Sequence, residues 1–257
     1  MTTVTFVTAL YDINREKNGD GRKFSEYLEW LDKLLKIKVP IVIFTSDEHN
    51  EFINQRRNNQ IIIINQKLEN LYYYQFKKDI EQIIQSKEYR FKIAHPNRVE
   101  CINPLYNVIQ YNKFDLLKQV SEQNPFQTEM FFWVDVGISR FFESFDLNKE
   151  YLLSPKFPQD KFIIQGRYDY EIYPIDDKFY WNSCNLFIGT MFGGDRKILH
   201  KMFELILNEM KWMVQNKEMN NEQLAIAKVW SKNRDLFYIF KNQTYKHLPL
   251  FEYLSKN

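Results

Sequence analysis

Several residues that can do acid, base or phosphate chemistry stand where predicted strands end. Asp135 follows the apolar run Phe131–Val134 and is soon followed by Gly137. Because such a run suits a covered parallel sheet, we expect the carboxylate at the carboxyl end of the strand, where open α/β sheets bind ligands. A carboxylate there can hold a divalent cation against phosphate oxygens, and a glycine lets a ligand approach the backbone. The alternative is an aspartate that only caps the next turn.

Two other groups of polar and glycine residues also follow predicted strands. They are Thr8, Asp12 and Arg15 after the first strand, and Gly189, Gly193 and Gly194 after a later one. If these strands are parallel neighbours, both groups converge with Asp135 on one edge of the sheet. The cleft would then offer an acid, a guanidinium for phosphate and a stretch of backbone without side chains. Tyr11 could stack on a base beside Arg15, although an ordinary surface loop also explains both residues.

Three further residues have both a structural and a functional interpretation. Glu222 opens a predicted helix, where the helix dipole stabilises a carboxylate, and it could instead act as a general base. His247 follows the last predicted strand and could complete the coordination of a cation held by Asp135, or be an ordinary surface histidine. Lys113 lies on the helix before the key strand and could reach a phosphate, or be solvated. The tryptophans, Trp133 among them, are most simply core residues.

The elements that must position these residues alternate along the chain. Strands are predicted at Val4–Leu10, 41–47 and 61–65, with a helix at Lys23–Ile37 between the first two. This order indicates βαβ units and a mostly parallel sheet. Later elements complete one compact α/β domain with no internal repeat: helices at Leu71–Ser86, Leu105–Glu122, Arg196–Gln215 and from about Asn221, and strands at 131–134, 162–165, 184–188 and 236–240.

Composition excludes several classes of protein. The 257 residues are 44% hydrophobic, which argues against disorder, and a net charge of +2 gives no electrostatic case for nucleic acid as a partner. Cys101 and Cys184 are too few for a disulfide framework or a cysteine zinc site. Neither a basic leader nor 18 consecutive apolar residues is present, so we expect no transmembrane segment and a cytoplasmic location, with membrane-bound substrates met at the surface. No glycine-rich dinucleotide fingerprint or P-loop occurs.

Three blocks of sequence resemble the HtrL/YibB family. The first is VTALYDINRE, ending at Glu16, with PIVIFTSD at 40–47. The second, PLYNVIQYNKFDLLKQVSEQNPFQTEMFFWVDVGISRF at 104–141, fits a family pattern of Y-N, K, N-P-F and W-[VI]-D-x-G. The third is FIGTMFGGDRKIL at 187–199 with NNEQLAI at 220–226. Proteins of this family are associated with cell-surface polysaccharide synthesis and are similar in pattern to GT-A glycosyltransferases.

The resemblance implies a GT-A-like, Rossmann-like fold that transfers sugar from a UDP- or GDP-linked donor to a hydroxyl of a glycan, lipid-linked or protein acceptor. Residues 1–137 would form the nucleotide-sugar half and 138–257 the acceptor half. Asp135 would take the position of the DxD motif and bind Mn²⁺ or Mg²⁺, and Glu222 would be the base. His247, from its place late in the sequence, would then be the second ligand of that cation. The implied nucleotide-sugar residues are Thr8, Ala9, Tyr11, Arg15, Lys113, Trp133, Val134, Asp135 and Gly137, and the implied acceptor residues are Gly193, Gly194 and Glu222.

Two departures from the family pattern affect these roles. Asp135-Val136-Gly137 lacks a second carboxylate, and Asn221-Glu222-Gln223 stands where the family tends toward Asp-Glu-Gln. Two other functions stay open. A non-catalytic nucleotide- or carbohydrate-binding module would also be rich in Tyr and Trp, and a metal-assisted phosphoester hydrolase would also use a strand-end Asp and a late His.

Overall fold

A mixed sheet of seven strands forms the centre of the computed structural model, which describes residues 4–56, 60–142, 147, 151, 157–167, 169–182, 184–241 and 246–254. The strand order is β3-β2-β1-β4-β6-β5-β7, and among these strands β6 alone runs antiparallel to its neighbours. The predicted mostly parallel α/β sheet is therefore confirmed. The strands are β1 (Val4–Leu10), β2 (Ile41–Thr45), β3 (Ile61–Asn65), β4 (Met130–Val134), β5 (Phe162–Gly166), β6 (Phe187–Gly194) and β7 (Phe237–Lys241).

Strand β4 shows why the sheet is covered on both faces. Phe131 and Trp133 pack into one hydrophobic core, whereas Met130, Phe132 and Val134 pack into a second core on the opposite face. This is the two-residue alternation of a strand, and each large side chain buried in this way contributes about 1.5–3 kcal/mol. The alternation also directs Asp135, two residues beyond Trp133, toward the first core.

The helices cover both faces of this sheet. They are α1 (Arg15–Asn18), α2 (Phe24–Leu34), α3 (Asn50–Asn54), α4 (Lys77–Gln85), α5 (Lys87–Lys92), α6 (Pro104–Gln123), α7 (Phe179–Asn182), α8 (Arg196–Asn216), α9 (Glu222–Lys232) and α10 (Pro249–Leu254). None of these helices combines the length and apolar character that crossing a bilayer requires.

Helix α6 is the longest element packed beside β4 on the first core. The Asn103 side chain caps it by accepting hydrogen bonds from the backbone N–H groups of Leu105 and Tyr106, and proline occupies the first helical position. Asn124 ends the helix in the left-handed conformation, with φ 41°. The helix is therefore fixed at both ends, and it holds residue 113 against the end of β4.

Strand β6 differs from its prediction. The strand expected at 184–188 begins at Phe187 and continues to Gly194, and Gly193 and Gly194 pair with Phe132 and Phe131 inside the sheet. The prediction that Gly193 and Gly194 follow the strand is therefore wrong. A second difference is that the helix predicted at Leu71–Ser86 begins as a 3₁₀ turn at Tyr72–Phe76 before α4.

Candidate functional site

A cavity of about 280 Å³ opens at the carboxyl ends of β1 and β4. Parallel neighbours bring their carboxyl ends together, and the antiparallel β6 brings its first residues to the same edge. The Asp135 backbone N–H donates to the Thr190 carbonyl over 2.8 Å, which fixes this junction. The cavity brings together ten of the residues that the sequence placed at this cleft: Ala9, Tyr11, Asp12, Arg15, Trp133, Asp135, Gly137, Gly189, Glu222 and His247.

The deepest part of the cavity holds two carboxylates around one ammonium group. Lys113 Nζ lies 2.9 Å from Glu222 Oε1 and 3.0 Å from Asp135 Oδ1, and it donates to the Gly189 carbonyl over 3.1 Å. The Lys113 and Glu222 side chains are each 1% exposed, whereas that of Asp135 is 29% exposed. We call Lys113, Asp135 and Glu222, with the Gly189 carbonyl, the pocket floor.

The pocket floor shifts the pKa of both of its buried members. Burial, opposed by the charge of Lys113 and assisted by that of Asp135, raises the pKa of Glu222 to about 7. Burial acts to lower the pKa of Lys113, but the two carboxylates outweigh it and the net shift is upward. Lys113 therefore stays charged, while Glu222 can exchange a proton near neutral pH.

Glu222 is positioned by its helix and by a glycine opposite. It is the first residue of α9, and the Asn221 side chain caps that helix by accepting from the Gln223 N–H over 3.1 Å. A Cβ atom at Gly189 would lie 2.5 Å from Glu222 Oε1, so only glycine leaves room for the carboxylate there. Glu222 Oε2 is buried without a hydrogen-bond partner. One oxygen is thus held by Lys113 while the other is available to a ligand.

The surroundings of Asp135 do not fit a divalent cation. Trp133 Nε1 donates to Asp135 Oδ1 over 2.6 Å, and Lys113 contacts both carboxylate oxygens. Among the described residues, no three His, Cys, Asp or Glu side chains lie close enough together to hold a metal ion. Mg²⁺ and Mn²⁺ favour carboxylate-rich oxygen sites, so a single carboxylate already balanced by Lys113 is a poor ligand set.

Four arginines line the outer part of the same cavity: Arg15, Arg22, Arg140 and Arg167, which we call the arginine rim. Arg15 and Arg22 share Asp20, with contacts of 2.7 Å and 3.3 Å. Arg15 also donates to the Tyr27 hydroxyl over 2.5 Å. These contacts orient two guanidinium groups with a single carboxylate between them.

Arg140 has a different environment from Arg15. Its guanidinium lies over the rings of Trp30 and Phe141, at 5.4 Å and 4.7 Å from their centroids. No carboxylate among the described residues lies within 4.0 Å of it, and its Nε is buried without an acceptor. Burial, followed by the charge of Arg22, lowers the pKa of Arg140.

His247 closes one side of the cavity. Its ring stacks on Phe141 at 5.2 Å with an interplanar angle of 4°, and its Nδ1 is buried without a partner. Burial lowers the pKa of His247, and the charges of Arg140 and Arg167 lower it further. His247 is therefore a neutral imidazole beside two guanidinium groups.

Sequence comparison decides the family of this chain. A family model described as "Bacterial protein of unknown function (HtrL_YibB)" matches residues 2–253. The chain belongs to the HtrL/YibB family. No curated protein sequence matches it.

Two solved structures are similar to this HtrL/YibB protein. The apo crystal structure of mouse xyloside xylosyltransferase 1 is 8% identical in sequence, covering 93% of this chain and 84% of that chain, with a TM-score of 0.43. The structure of 4-diphosphocytidyl-2C-methyl-D-erythritol synthase from Anaerococcus prevotii is 12% identical, covering 96% and 89%, also with a TM-score of 0.43.

Some residues predicted to line the pocket lie elsewhere in the HtrL/YibB chain. Thr8 and Val134 are 0% exposed within their strands, so neither side chain reaches the cavity. Lys113 is enclosed and its donors are taken by the pocket floor, so the prediction that it reaches a phosphate is wrong. Gly193 and Gly194 lie at the opposite edge of the sheet because β6 is antiparallel, which removes the basis for an acceptor role.

Other residues at the site were not singled out from the sequence, or were assigned another role. Arg22, Arg140 and Arg167 come from separate segments, and no local pattern distinguishes them from surface arginines.

The burial of Lys113, in contrast, is indicated by the residue spacing of its helix. Ile109, Lys113 and Leu117 follow one another at four-residue spacing on α6, and Leu117 is fully buried while Ile109 packs against the first core. A lysine on an apolar helical stripe indicates a buried, paired charge.

Proposed function

We propose that this HtrL/YibB protein is a glycosyltransferase that moves a sugar from a UDP- or GDP-linked donor to an acceptor hydroxyl. The observation that carries the proposal is the free Oε2 of Glu222, a buried base whose other oxygen is held by Lys113, in the same cavity as Asp135 and the arginine rim. Such a site offers a proton acceptor and an anion-binding surface a short distance apart, as sugar transfer from a diphosphate requires.

The nucleoside part of the donor is assigned to residues up to 137. Ala9, Tyr11 and Arg15 follow β1 at one side of the cavity, where the Arg15 guanidinium lies over the rings of Tyr27 and Tyr106 and would present its donors to the nucleotide. Asp135 keeps part of its carboxylate exposed and would accept hydrogen bonds from ribose or sugar hydroxyls. Residues beyond 137 supply Glu222 and His247, on the side assigned to the acceptor.

The reaction is a single displacement at the anomeric carbon of the donor sugar. The acceptor hydroxyl oxygen forms a bond to that carbon as the bond from the carbon to the diphosphate oxygen breaks, and the electron pair leaves with the nucleoside diphosphate. The hydroxyl proton passes to Glu222 Oε2. With a pKa near 7, Glu222 is ionised in a large fraction of molecules at neutral pH yet basic enough to accept the proton.

The acceptor assigned to this reaction is a hydroxyl of a glycan, a lipid-linked sugar or a protein. This choice rests on the cell-surface polysaccharide synthesis that the sequence resemblance implies. The reaction would take place in the cytoplasm, where a lipid-linked acceptor is met at the membrane surface.

A donor screen by mass spectrometry tests the proposal. The purified chain is incubated with UDP- and GDP-sugars, with and without Mn²⁺ or Mg²⁺, and release of the nucleoside diphosphate is followed. We expect release with one donor, reduced about 10²–10⁴-fold in Glu222→Gln because the base is lost. Asp135→Asn should also reduce it, and unchanged turnover in that variant would reject the role of Asp135.

Two carboxylates outside the cavity, the partly buried Glu209 and the buried Asp115, serve as controls. Glu209→Gln changes a glutamate that pairs with Lys232, and Asp115→Asn changes an aspartate that accepts from Gln119. Both variants should keep full turnover. Tight nucleotide binding without release from any donor would instead support a binding module, and the transferase proposal would be abandoned.

A further inference from the structure

We propose that the donor diphosphate is held by the arginine rim, with Arg140 at its centre, rather than by a divalent cation on Asp135. This inference rests on the proposed function, because it names the groups that neutralise the leaving diphosphate of that reaction. It makes nucleotide binding independent of metal ions.

The charges of the pocket floor disfavour a cation on Asp135. Asp135 accepts from Trp133 and is paired with Lys113, and its nearest carboxylate neighbour, Glu222, is held by the same lysine. A cation placed on Asp135 would face the Lys113 ammonium, whose charge repels it. The carboxylate that a metal would need is thus already neutralised by a fixed positive charge.

Arg140 carries a charge that no carboxylate among the described residues compensates. The other guanidinium groups whose neighbours are described here, Arg15 and Arg22, share the carboxylate of Asp20, whereas Arg140 contacts aromatic faces and no carboxylate. Its Nε is buried and lacks an acceptor. An unsatisfied donor on a partly buried cation is costly unless an anion binds there, so this group is poised for one.

The guanidinium and phosphate groups have complementary hydrogen-bonding geometry. The planar fork of arginine donates two parallel hydrogen bonds to phosphate oxygens, and several arginines can surround the two phosphates of a diphosphate. Arg15, Arg22, Arg140 and Arg167 line one cavity, and the neutral His247 adds an unpartnered Nδ1 beside Arg140. Their summed charge would stabilise the negative charge that develops on the leaving group.

Calorimetry with the full chain tests the inference. UDP, GDP and inorganic pyrophosphate are titrated in EDTA and again in Mn²⁺. We expect binding of a nucleoside diphosphate in EDTA with an affinity close to that in Mn²⁺. Arg140→Gln should weaken that affinity about 10- to 100-fold, because a charge-assisted hydrogen bond to the diphosphate is lost. Arg140→Lys should restore part of it by returning the charge without the fork.

Arg56→Gln is the matched control, since Arg56 also lies over an aromatic ring, at 3.8 Å from the Phe52 centroid, but outside the cavity. Its affinity for the nucleotide should equal that of the unaltered chain. Two results would overturn the arginine assignment and leave the transferase proposal standing. One is binding that appears only with Mn²⁺, and the other is an affinity of Arg140→Gln equal to that of the unaltered chain. Absence of binding by any nucleoside diphosphate in either condition would overturn both.

Discussion

The pocket floor and the arginine rim line one cavity but differ in how their charges are paired. In the floor, two carboxylates surround one ammonium group, and the Lys113 and Glu222 side chains are almost fully enclosed. In the rim, guanidinium groups stand near one another, and Asp20 is the one carboxylate that pairs with Arg15 and Arg22 among the described residues. The carboxylates of the floor share the counter-charge of Lys113, whereas Arg140 in the rim has no carboxylate within 4.0 Å among the described residues.

This difference separates structural from ligand-binding roles within one site. A closed charge cluster holds its members in place, so it fixes the position of Glu222. An open cluster of like charges is stabilised only when an anion arrives. Removing a floor residue should therefore damage the folded protein, and removing a rim residue should mainly damage binding.

The largest effect is expected from Lys113→Met. This change leaves Glu222 and Asp135 without their shared counter-charge, and an unpaired buried charge typically costs about 3–5 kcal/mol of stability. Urea unfolding followed by circular dichroism measures the loss. Lys118→Met on the same helix is the control, because Lys118 forms a partly exposed ion pair with Glu122 and should cost less than about 1 kcal/mol. Equal losses in both variants would contradict the described floor.

A smaller effect is expected from Gly189→Ala. The added methyl group would overlap Glu222 Oε1 at 2.5 Å and Gln223 Cγ at 2.9 Å, so the base must move. We expect donor turnover about 100-fold lower, because displacing a catalytic group by about 1 Å has effects of this size. Steady-state kinetics measure the change. Gly189→Ala should also lower the free energy of unfolding, and adding Glu222→Asp, which shortens the carboxylate, should recover that loss. A further loss of stability would show that the overlap lies elsewhere.

The pH dependence gives a third test of the floor. The pKa of Glu222 is raised from 4.5 to about 7, so its protonated form is favoured by folding. The free energy of unfolding should be highest, on this account, below about pH 4.5 and should fall as pH rises through 7, while kcat/KM rises over the same range as the base ionises. Glu222→Gln should remove both trends. Identical pH profiles for stability in the two proteins would refute the raised pKa.

The smallest effect on stability is expected at the rim. Arg140→Gln removes stacking on Trp30 and Phe141 but also relieves repulsion from Arg22 and Arg15, so the free energy of unfolding should change by less than about 1 kcal/mol. Urea unfolding of Arg140→Gln and Lys113→Met under the same conditions measures the two losses of stability. A loss at Arg140 as large as the loss at Lys113 would erase the distinction between floor and rim.

Local patterns were sufficient for the fold and for part of the site. The apolar run before Asp135 predicts a buried strand, and the carboxyl end of that strand does meet β1, because parallel pairing is a consequence of βαβ order. The helix start at Asn221 likewise predicts that Glu222 is the first residue of a helix, as it is in α9. Both predictions depend on residues within one element, which is where sequence patterns carry most information.

Relations between distant elements could not be predicted in this way. A buried strand has the same residue pattern in either direction, so nothing in 187–194 indicated that β6 is antiparallel and that Gly189, rather than Gly193 and Gly194, lies at the cavity. The arginine rim gathers residues from separate segments. Only tertiary packing brings Arg22 and Arg167 to the same cavity.

The two carboxylates that share the ammonium group at position 113 cannot be mutated independently. Because the negative charge at 135 also raises the pKa of Glu222, substituting asparagine at 135 will alter the proton affinity of a residue it was not meant to touch. The midpoint of the rate profile should move to more acidic pH in that variant. The two acids are therefore thermodynamically coupled, and a double-mutant cycle, rather than either single substitution, is the measurement that apportions their contributions.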